Sequence, residues 1–179
     1  MSVAFSRDGQ NLVSGSHDRT VQLWKVKTQK PMGRSMRHLD HVACVAFSKD
    51  GKMIASGEGE GRASLVDRGP DVMSRGFGFR SYEVSLWDTK TQYFQGVLMG
   101  HKAGVTSVAF SEDGKLVASG SHDNTIQIWD INTRKPICKP LFGHKGHVTR
   151  VVFSGDGKAL ASSSLDHSIC IWKPLKKNG

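Results

Sequence analysis

The sequence is poor in the residues on which secreted scaffolds, membrane proteins and most enzymes depend. Its 179 residues include only 3 cysteines, 5 prolines and 2 tyrosines. Cys44, Cys138 and Cys170 are odd in number and lack metal-ligand spacing, and Cys44 and Cys170 fall within strand-like runs. They read as reduced packing residues, which argues against a disulfide framework or a zinc site. No apolar run approaches the roughly 18 residues that a membrane-spanning helix needs, so no membrane association is expected. Met1-Ser-Val-Ala-Phe-Ser-Arg-Asp-Gly9 already has strand and turn character rather than that of a leader, which predicts a cytoplasmic or nuclear chain. Enzyme signatures are missing too. There is no Gly-rich phosphate loop with its lysine, no helix-borne pair of zinc histidines and no identifiable pair of carboxylates, so no cofactor or metal is expected. Acidic residues are the scarcer charge, 16 against 25 basic, leaving a net charge of +9. That surplus permits acidic partners, RNA or anionic surfaces without selecting one.

What the chain has is glycine, 20 residues of it, and a repeat. The stretch from Gly100 to Asp130 opens on Gly-His and closes on Trp-Asp, and holds three short β-type runs. Val105 to Ser111 and Leu116 to Ser121 are joined by Glu-Asp-Gly, and a polar turn then leads into Ile126 to Trp129. Asp-Gly between apolar alternations marks a hairpin, because glycine supplies the positive φ of the turn without a Cβ clash. Trp24, Trp87, Trp129 and Trp172 are spaced by 63, 42 and 43 residues, and Gly9, Gly51, Gly114 and Gly157 by 42, 63 and 43. Four repeats follow, at 2–36, 37–99, 100–142 and 143–175, the second carrying an insertion of about 21 residues at 61–81. Residues 2–31 match residues 107–136 at 18 of 30 positions without a gap. Such internal identity is more typical of recognition arrays than of enzymes.

The unit resembles a WD repeat of the β-transducin type, one blade of a β-propeller. The resemblance implies an all-β fold, a partial (open) β-propeller of four WD-repeat blades. Four inner triplets and outer strands from segments 31–36, 92–99 and 136–142 give about 15 antiparallel strands. Nothing equivalent follows Trp172, and most members of the family have seven blades. An open ring leaves an unpaired edge and an open end blade, so self-association is expected. The Pro136-Ile-Cys-Lys-Pro-Leu-Phe-Gly-His144 linker and the near-identical repeats are also similar to the arrays of fungal NACHT-type incompatibility receptors.

In this family a histidine, a Ser or Thr, an Asp and a Trp form a hydrogen-bonded group in each blade. The resemblance assigns His101, Ser119, Asp123 and Trp129 to repeat three and His144, Ser162, Asp166 and Trp172 to repeat four. Repeat one keeps Ser14, Asp18 and Trp24 without a histidine. Repeat two keeps His38, Ser56 and Trp87, its acid being either Glu60 or lost to the insertion. A Ser, a His and an Asp together suggest a hydrolase, but an active site is built once and these recur per repeat, so they read as structural. No catalytic residue is expected.

Partner contacts in the family concentrate on the propeller's rim. Position by position this points to His17, His122 and Leu165 before the acid, and to Ala43, Thr106 and Thr149 with His41, Gly104 and His147 two residues earlier. Four histidines among nine positions would make binding sensitive to pH below about 6.5. Within the insertion, Arg75-Gly-Phe-Gly-Phe-Arg-Ser-Tyr82 agrees with an RNA-binding strand signature at six of seven specified positions. Arg75, Phe77, Phe79 and Arg80 are therefore candidate RNA contacts, although 21 residues are too few for that domain. An unstructured insertion with no contact role, or an exposed protein-contact loop, fits the same composition. The expected function is a non-catalytic scaffold that binds a protein or peptide on its rim. The alternatives are an RNA-associated subunit and a substrate-recognition adaptor of a multiprotein complex. For the adaptor, Trp87-Asp-Thr-Lys90 departs from the family's Trp-Asp-x-Arg docking box.

Overall fold

A computed structural model describes residues 2–60 and 82–173. Each repeat is organised locally by its Ser-x-Asp-Gly turn. Ser6, Ser48, Ser111 and Ser154 donate their hydroxyls to Asp8, Asp50, Asp113 and Asp156 at 2.6 to 2.7 Å. The same carboxylates accept the backbone N–H groups of Gln10, Lys52, Lys115 and Lys158 at 3.0 Å. Gly9, Gly51, Gly114 and Gly157 take φ between 67° and 70°, the left-handed region a side chain resists. These bonds hold each Asp below the usual carboxylate range, the serine hydroxyl being the largest cause.

The strands flanking these turns form four antiparallel sheets, and no sheet closes on itself. Blade one is β1 (Ser2–Phe5), β2 (Asn11–Gly15), β3 (Thr20–Lys25) and β4 (Lys30–Arg37), paired in that order. Blade two is β5 (Val42–Phe47), β6 (Met53–Glu58), β7 (Tyr82–Asp88) and β8 (Phe94–His101). β6 and β7 keep full register from Met53 opposite Asp88 to Gly57 opposite Val84, although the insertion lies between them. That insertion, with its candidate contacts Arg75, Phe77, Phe79 and Arg80, falls outside the described residues.

Blade three is β9 (Val105–Phe110), β10 (Leu116–Ser121) and β11 (Ile126–Asp130), and blade four is β12 (Val148–Phe153), β13 (Leu160–Ser164) and β14 (Ile169–Trp172). The described residues thus form 14 strands rather than about 15. The missing one is the outer strand of blade three, where only isolated bridges join Trp129 to Pro136 and Ile126 to Leu141. Pro136 and Pro140 bracket this segment and have no N–H to give to a ladder, so Ile137 and Leu141 carry the pairing.

The blades stack through three apolar clusters, one at each boundary. Val13, Val21, Leu23 and Met36 of blade one meet Val42, Val45, Ile54 and Trp87 of blade two. Cys44, Val84, Leu86 and Leu98 meet Val105, Val108, Val117 and Trp129. Ala118, Ile126 and Ile128 meet Val148, Val151 and Leu160. Burial pushes the Cys44 thiol up to about 12, the state of an inert packing residue.

A glycine column sets how closely the blades approach. A Cβ at Gly15, Gly57 or Gly120 would lie 2.5 to 2.6 Å from a Cγ1 of Val42, Val105 or Val148, the first inner-strand valine of the next blade. Blade four has Ser163 at this position, where no further blade of the described chain packs. Its hydroxyl bonds Thr149 Oγ1 at 2.8 Å. The faces at the two ends remain apolar and exposed, with Val3 and Phe5 on blade one and Val152, Ile169 and Ile171 on blade four.

Candidate functional site

In blade three the end of β8 delivers His101 to the middle of β10 and the turn after it. His101 Nε2 lies 2.7 Å from Ser119 Oγ and Nδ1 lies 2.9 Å from Asp123 Oδ2. Trp129 Nε1 donates to Ser119 Oγ at 2.9 Å. The carboxylate only accepts, so Nδ1 carries the proton that faces it, and Nε2 of the neutral imidazole then accepts from the serine hydroxyl, which in turn accepts the indole N–H. Asp123 closes the turn by accepting Lys102 N–H on Oδ2 at 2.9 Å and the Thr125 N–H and hydroxyl on Oδ1 at 2.9 and 2.6 Å. Burial alone would raise this carboxyl, but the bonds from His101, Thr125 and Lys102 outweigh it and hold it far below the usual range.

Blade four repeats the arrangement. His144 reaches Ser162 at 2.8 Å and Asp166 at 3.2 Å, Trp172 donates to Ser162 at 2.8 Å, and Lys145 N–H donates to Asp166 at 2.7 Å. Asp166 is held well below the usual range, chiefly by the Ser168 hydroxyl. Ser119 and Ser162 are buried, with both hydroxyl roles occupied. A nucleophile needs access to substrate, and these serines have none.

Blade two differs in its acid. His38 bonds Ser56 at 2.7 Å, Trp87 donates to Ser56 at 2.8 Å, and His38 Nδ1 meets Glu58 Oε1 at 3.1 Å. Leu39 N–H donates to the same oxygen at 2.9 Å. The acid is thus neither Glu60 nor lost. Glu58 occupies the column that holds Ser16, Ser121 and Ser164 in the other blades, two residues beyond the tetrad serine and on the same strand face. The longer side chain covers from the strand end the distance that Asp covers from the turn. The signal was a lone glutamate in a column of serines. Glu60 instead turns toward blade three, with Oε1 accepting Gly104 N–H at 3.4 Å and Oε2 lying 3.5 Å from His122 Nδ1.

Blade one keeps Trp24 Nε1 on Ser14 Oγ at 2.8 Å and has no histidine beside them among the described residues. Asp18 sits in the same turn pose, its carboxyl lowered first by the Thr20 hydroxyl.

The rim positions divide by accessibility. His17, His147, Thr149 and Leu165 are exposed, and His41, Ala43, Thr106 and His122 are half-buried. Gly104 is buried under Glu60, whose backbone nitrogen would lie 2.6 Å from a Cβ there. Thr106 is engaged with the carbonyls of Gly120 and Val148 at 3.0 and 2.5 Å, tying blade three to blade four. The four histidines group in pairs across blade boundaries. His17 stacks on His41 with ring centroids 4.7 Å apart, and His122 meets His147 edge-on at 4.6 Å. The turns beneath them are fixed by Gly59, His122 and Leu165 N–H groups donating to the carbonyls of His41, Gly104 and His147.

Four blades, each built on hairpins and fastened by a serine, a tryptophan and, in three of them, a histidine with an acid, define a partial β-propeller. The WD domain, G-beta repeat family matches residues 1–25, 31–67, 92–130 and 135–173, and the chain belongs to that family. Among curated relatives it is 27% identical over 143 residues to nuclear distribution protein nudF of Aspergillus terreus, covering 79% of this chain and 31% of that protein. It is 32% identical over 131 residues to the LEC14B homolog of Prunus armeniaca (73% and 24%). It is 29% identical over 157 residues to periodic tryptophan protein 2 of Arabidopsis thaliana (74% and 17%). The chain spans less than a third of the length of each. Proteins of this family generally serve as protein-interaction scaffolds. No helix among the described residues is long and apolar enough to cross a membrane.

Proposed function

We propose that this chain is a non-catalytic scaffold, cytoplasmic or nuclear, that binds a protein or peptide on the rim formed by His17, His41, Ala43, Thr106, His122, His147, Thr149 and Leu165, with Gly104 covered by Glu60 and out of direct contact. The observation that carries this reading is the contrast between the tetrad groups, which are bonded inward, and the paired imidazoles beside them, which are presented on rigid turns. Rigid presentation of adaptable polar groups lowers the ordering cost of binding. The similarity of the repeats to fungal NACHT-type arrays fits the same recognition role. Stacking of the apolar end faces of two copies is a secondary mode, which light scattering would reveal as a doubled mass.

The rim reading is tested with the triple variant H17A/H147A/L165A, three exposed positions outside the tetrads. Affinity capture should lose partners that the wild-type chain retains, while the urea midpoint stays unchanged. Retention of the same partners by the variant would contradict the rim assignment.

A second reading rests on Arg75-Gly-Phe-Gly-Phe-Arg-Ser-Tyr82 and the net charge of +9: an RNA-associated subunit. Deleting 61–81 should then weaken RNA retention and flatten its salt dependence. An unchanged salt slope would remove this reading and leave the scaffold, including its adaptor form.

A further inference from the structure

A groove runs along the junction of blades one and two. It starts at the β5–β6 and β7–β8 turns, at the strand ends opposite the rim histidines, as a cavity of about 870 Å³ bordered by Leu23, Met32, Lys52, Thr89, Lys90 and Tyr93. Past Arg34, Gln92 and Tyr93, which border both, it continues into a second cavity of about 660 Å³ between Met36, Arg37, Trp87 and Phe94. It thus follows β4 from Met32 to Arg37, a run of about 20 Å at the usual rise of a strand, enough for an extended segment of about six residues. The walls are fixed. Gln92 donates from Nε2 to the Met32 carbonyl at 2.8 Å and accepts Arg34 N–H on Oε1 at 3.0 Å. Gly33 stands between them at φ 60°, and a Cβ there would run into that amide. Arg34 lies over Tyr93, its guanidinium carbon 4.9 Å from the ring centre, and Phe94 meets Trp87 edge-on at 5.4 Å. Tyr93 is nevertheless 60% exposed and Phe94 44%.

The groove is basic. Arg34, Arg37, Lys52 and Lys90 are exposed along it. Of the carboxylates that border it, Asp88 accepts the Thr91 N–H and hydroxyl at 2.7 Å and Glu83 is buried, while Lys52 has only a 3.7 Å contact with Asp50. Thr89 is an independent pointer. Its hydroxyl oxygen is buried and has no hydrogen-bond partner among the described residues. Two residues past Trp24 and Trp129 stand Val26 and Ile131, the latter packed on an apolar cluster. A buried hydroxyl in this apolar column, at the wall of a cavity, lacks an acceptor that a ligand can bring. The next junction has no such groove residues. Arg134 there lies against Gly96 as Gln92 lies against Gly33, but Val97, Lys135 and Pro136 stand where Arg34, Tyr93 and Phe94 stand.

We propose that this groove binds an extended acidic segment of another protein in which carboxylates alternate with apolar side chains. One carboxylate accepts from the Thr89 hydroxyl and meets Lys52 and Lys90. The next meets Arg34, whose guanidinium, stacked by its face on Tyr93, keeps its N–H edge for a planar acceptor. The apolar side chains lie on Leu23, Met32, Tyr93 and Phe94. A second copy of this chain is the wrong occupant. It carries the same net charge of +9, and its one adjacent pair of acids, Glu112-Asp113, is held in a turn by Lys49 and Ser111. The site shares no residue with the rim and stands apart from the rim reading.

The probe is a fluorescein-labelled peptide, Glu-Leu-Glu-Leu-Glu-Leu, titrated with the full chain and followed by fluorescence anisotropy. Saturable binding is expected, weakening as salt is raised. Arg34→Glu should weaken it about tenfold or more, and Thr89→Val, which keeps the shape and removes the hydroxyl, about threefold or more. Lys158→Glu, the same charge change on blade four, and the rim variant H17A/H147A/L165A should leave it within about twofold. Loss of captured partners in the rim variant and loss of the peptide in Arg34→Glu therefore report on separate sites. The proposal is overturned if either Arg34→Glu or Thr89→Val binds as the wild type does, or if Lys158→Glu costs as much as Arg34→Glu. It is equally overturned if replacing the glutamates by glutamine has no effect, or if an oligouridylate RNA binds more tightly with the same dependence on Arg34.

Discussion

Blades one and three share 18 of 30 aligned residues, and yet Trp129 is fully buried while Trp24 is half-exposed. Both indoles donate to a serine hydroxyl at nearly the same distance, 2.8 and 2.9 Å. What separates them lies outside the repeat itself. Blade three has Gly100-His101 delivered from β8 and the apolar face of blade two pressed against it, and blade one has neither in the described structure. The fastening of a blade is therefore a property of a residue set plus its neighbour. The same Ser, Asp and Trp form a closed network in one setting and an open cleft in the other.

The largest test of this difference is truncation of the indole. Trp129→Ala should cost about 3–5 kcal/mol, the range for a buried aromatic, and Trp24→Ala less than half as much, measured by urea unfolding. Next comes His101→Ala, which leaves Ser119 and Asp123 without their shared partner and should cost about 2–3 kcal/mol. Blade one has no equivalent to lose, which makes it the natural baseline for that measurement.

Blade two offers a second contrast, because two glutamates lie near its tetrad. Glu58→Gln should lower stability by about 1–2 kcal/mol, since a buried charge-assisted bond to His38 and Leu39 is weakened. Glu60→Gln should stay within about 0.5 kcal/mol, as its contacts are long and its carboxylate is exposed. Equal effects of the two would mean that the acid had been misassigned.

The smallest difference concerns acid. Asp123 titrates in the folded chain far below its ordinary value, so the unfolded chain binds the proton first as pH falls. Its contribution is whole above about pH 4 and is lost progressively as pH drops from there toward the folded value. Urea midpoints between pH 6 and pH 2 should therefore fall less steeply in Asp123→Asn than in the wild type. Asp18→Asn should flatten the curve less, because Asp18 lacks the imidazole.

Much of this architecture was legible in the sequence because it is local or periodic. The Asp-Gly turns, the spacing of the tryptophans and the alternation around Val105 and Leu116 each follow from one short stretch. The acid of blade two was not legible by counting, since Glu60 stands four residues past Ser56 as Asp123 stands past Ser119. Side-chain length decides the matter, and Glu58 reaches His38 from the strand. The outer segment of blade three read as a strand from its position, while Pro136 and Pro140 reduce it to two bridges. Gly104, an attractive rim candidate in sequence, is covered by Glu60 of the neighbouring blade. The column Gly15, Gly57, Gly120 and Ser163 acquires its meaning only when each blade is seen against the valine of the next.

The most direct measurement is hydrogen exchange at the four indole N–H groups of the unliganded chain. Trp129 and Trp87, which donate to serines shared with a histidine and are covered by a neighbouring blade, should exchange slowest. Trp24 should exchange fastest, by at least tenfold over Trp129. Exchange at Trp24 as slow as at Trp129 would contradict it, showing that a blade fastens its own tryptophan without its neighbour.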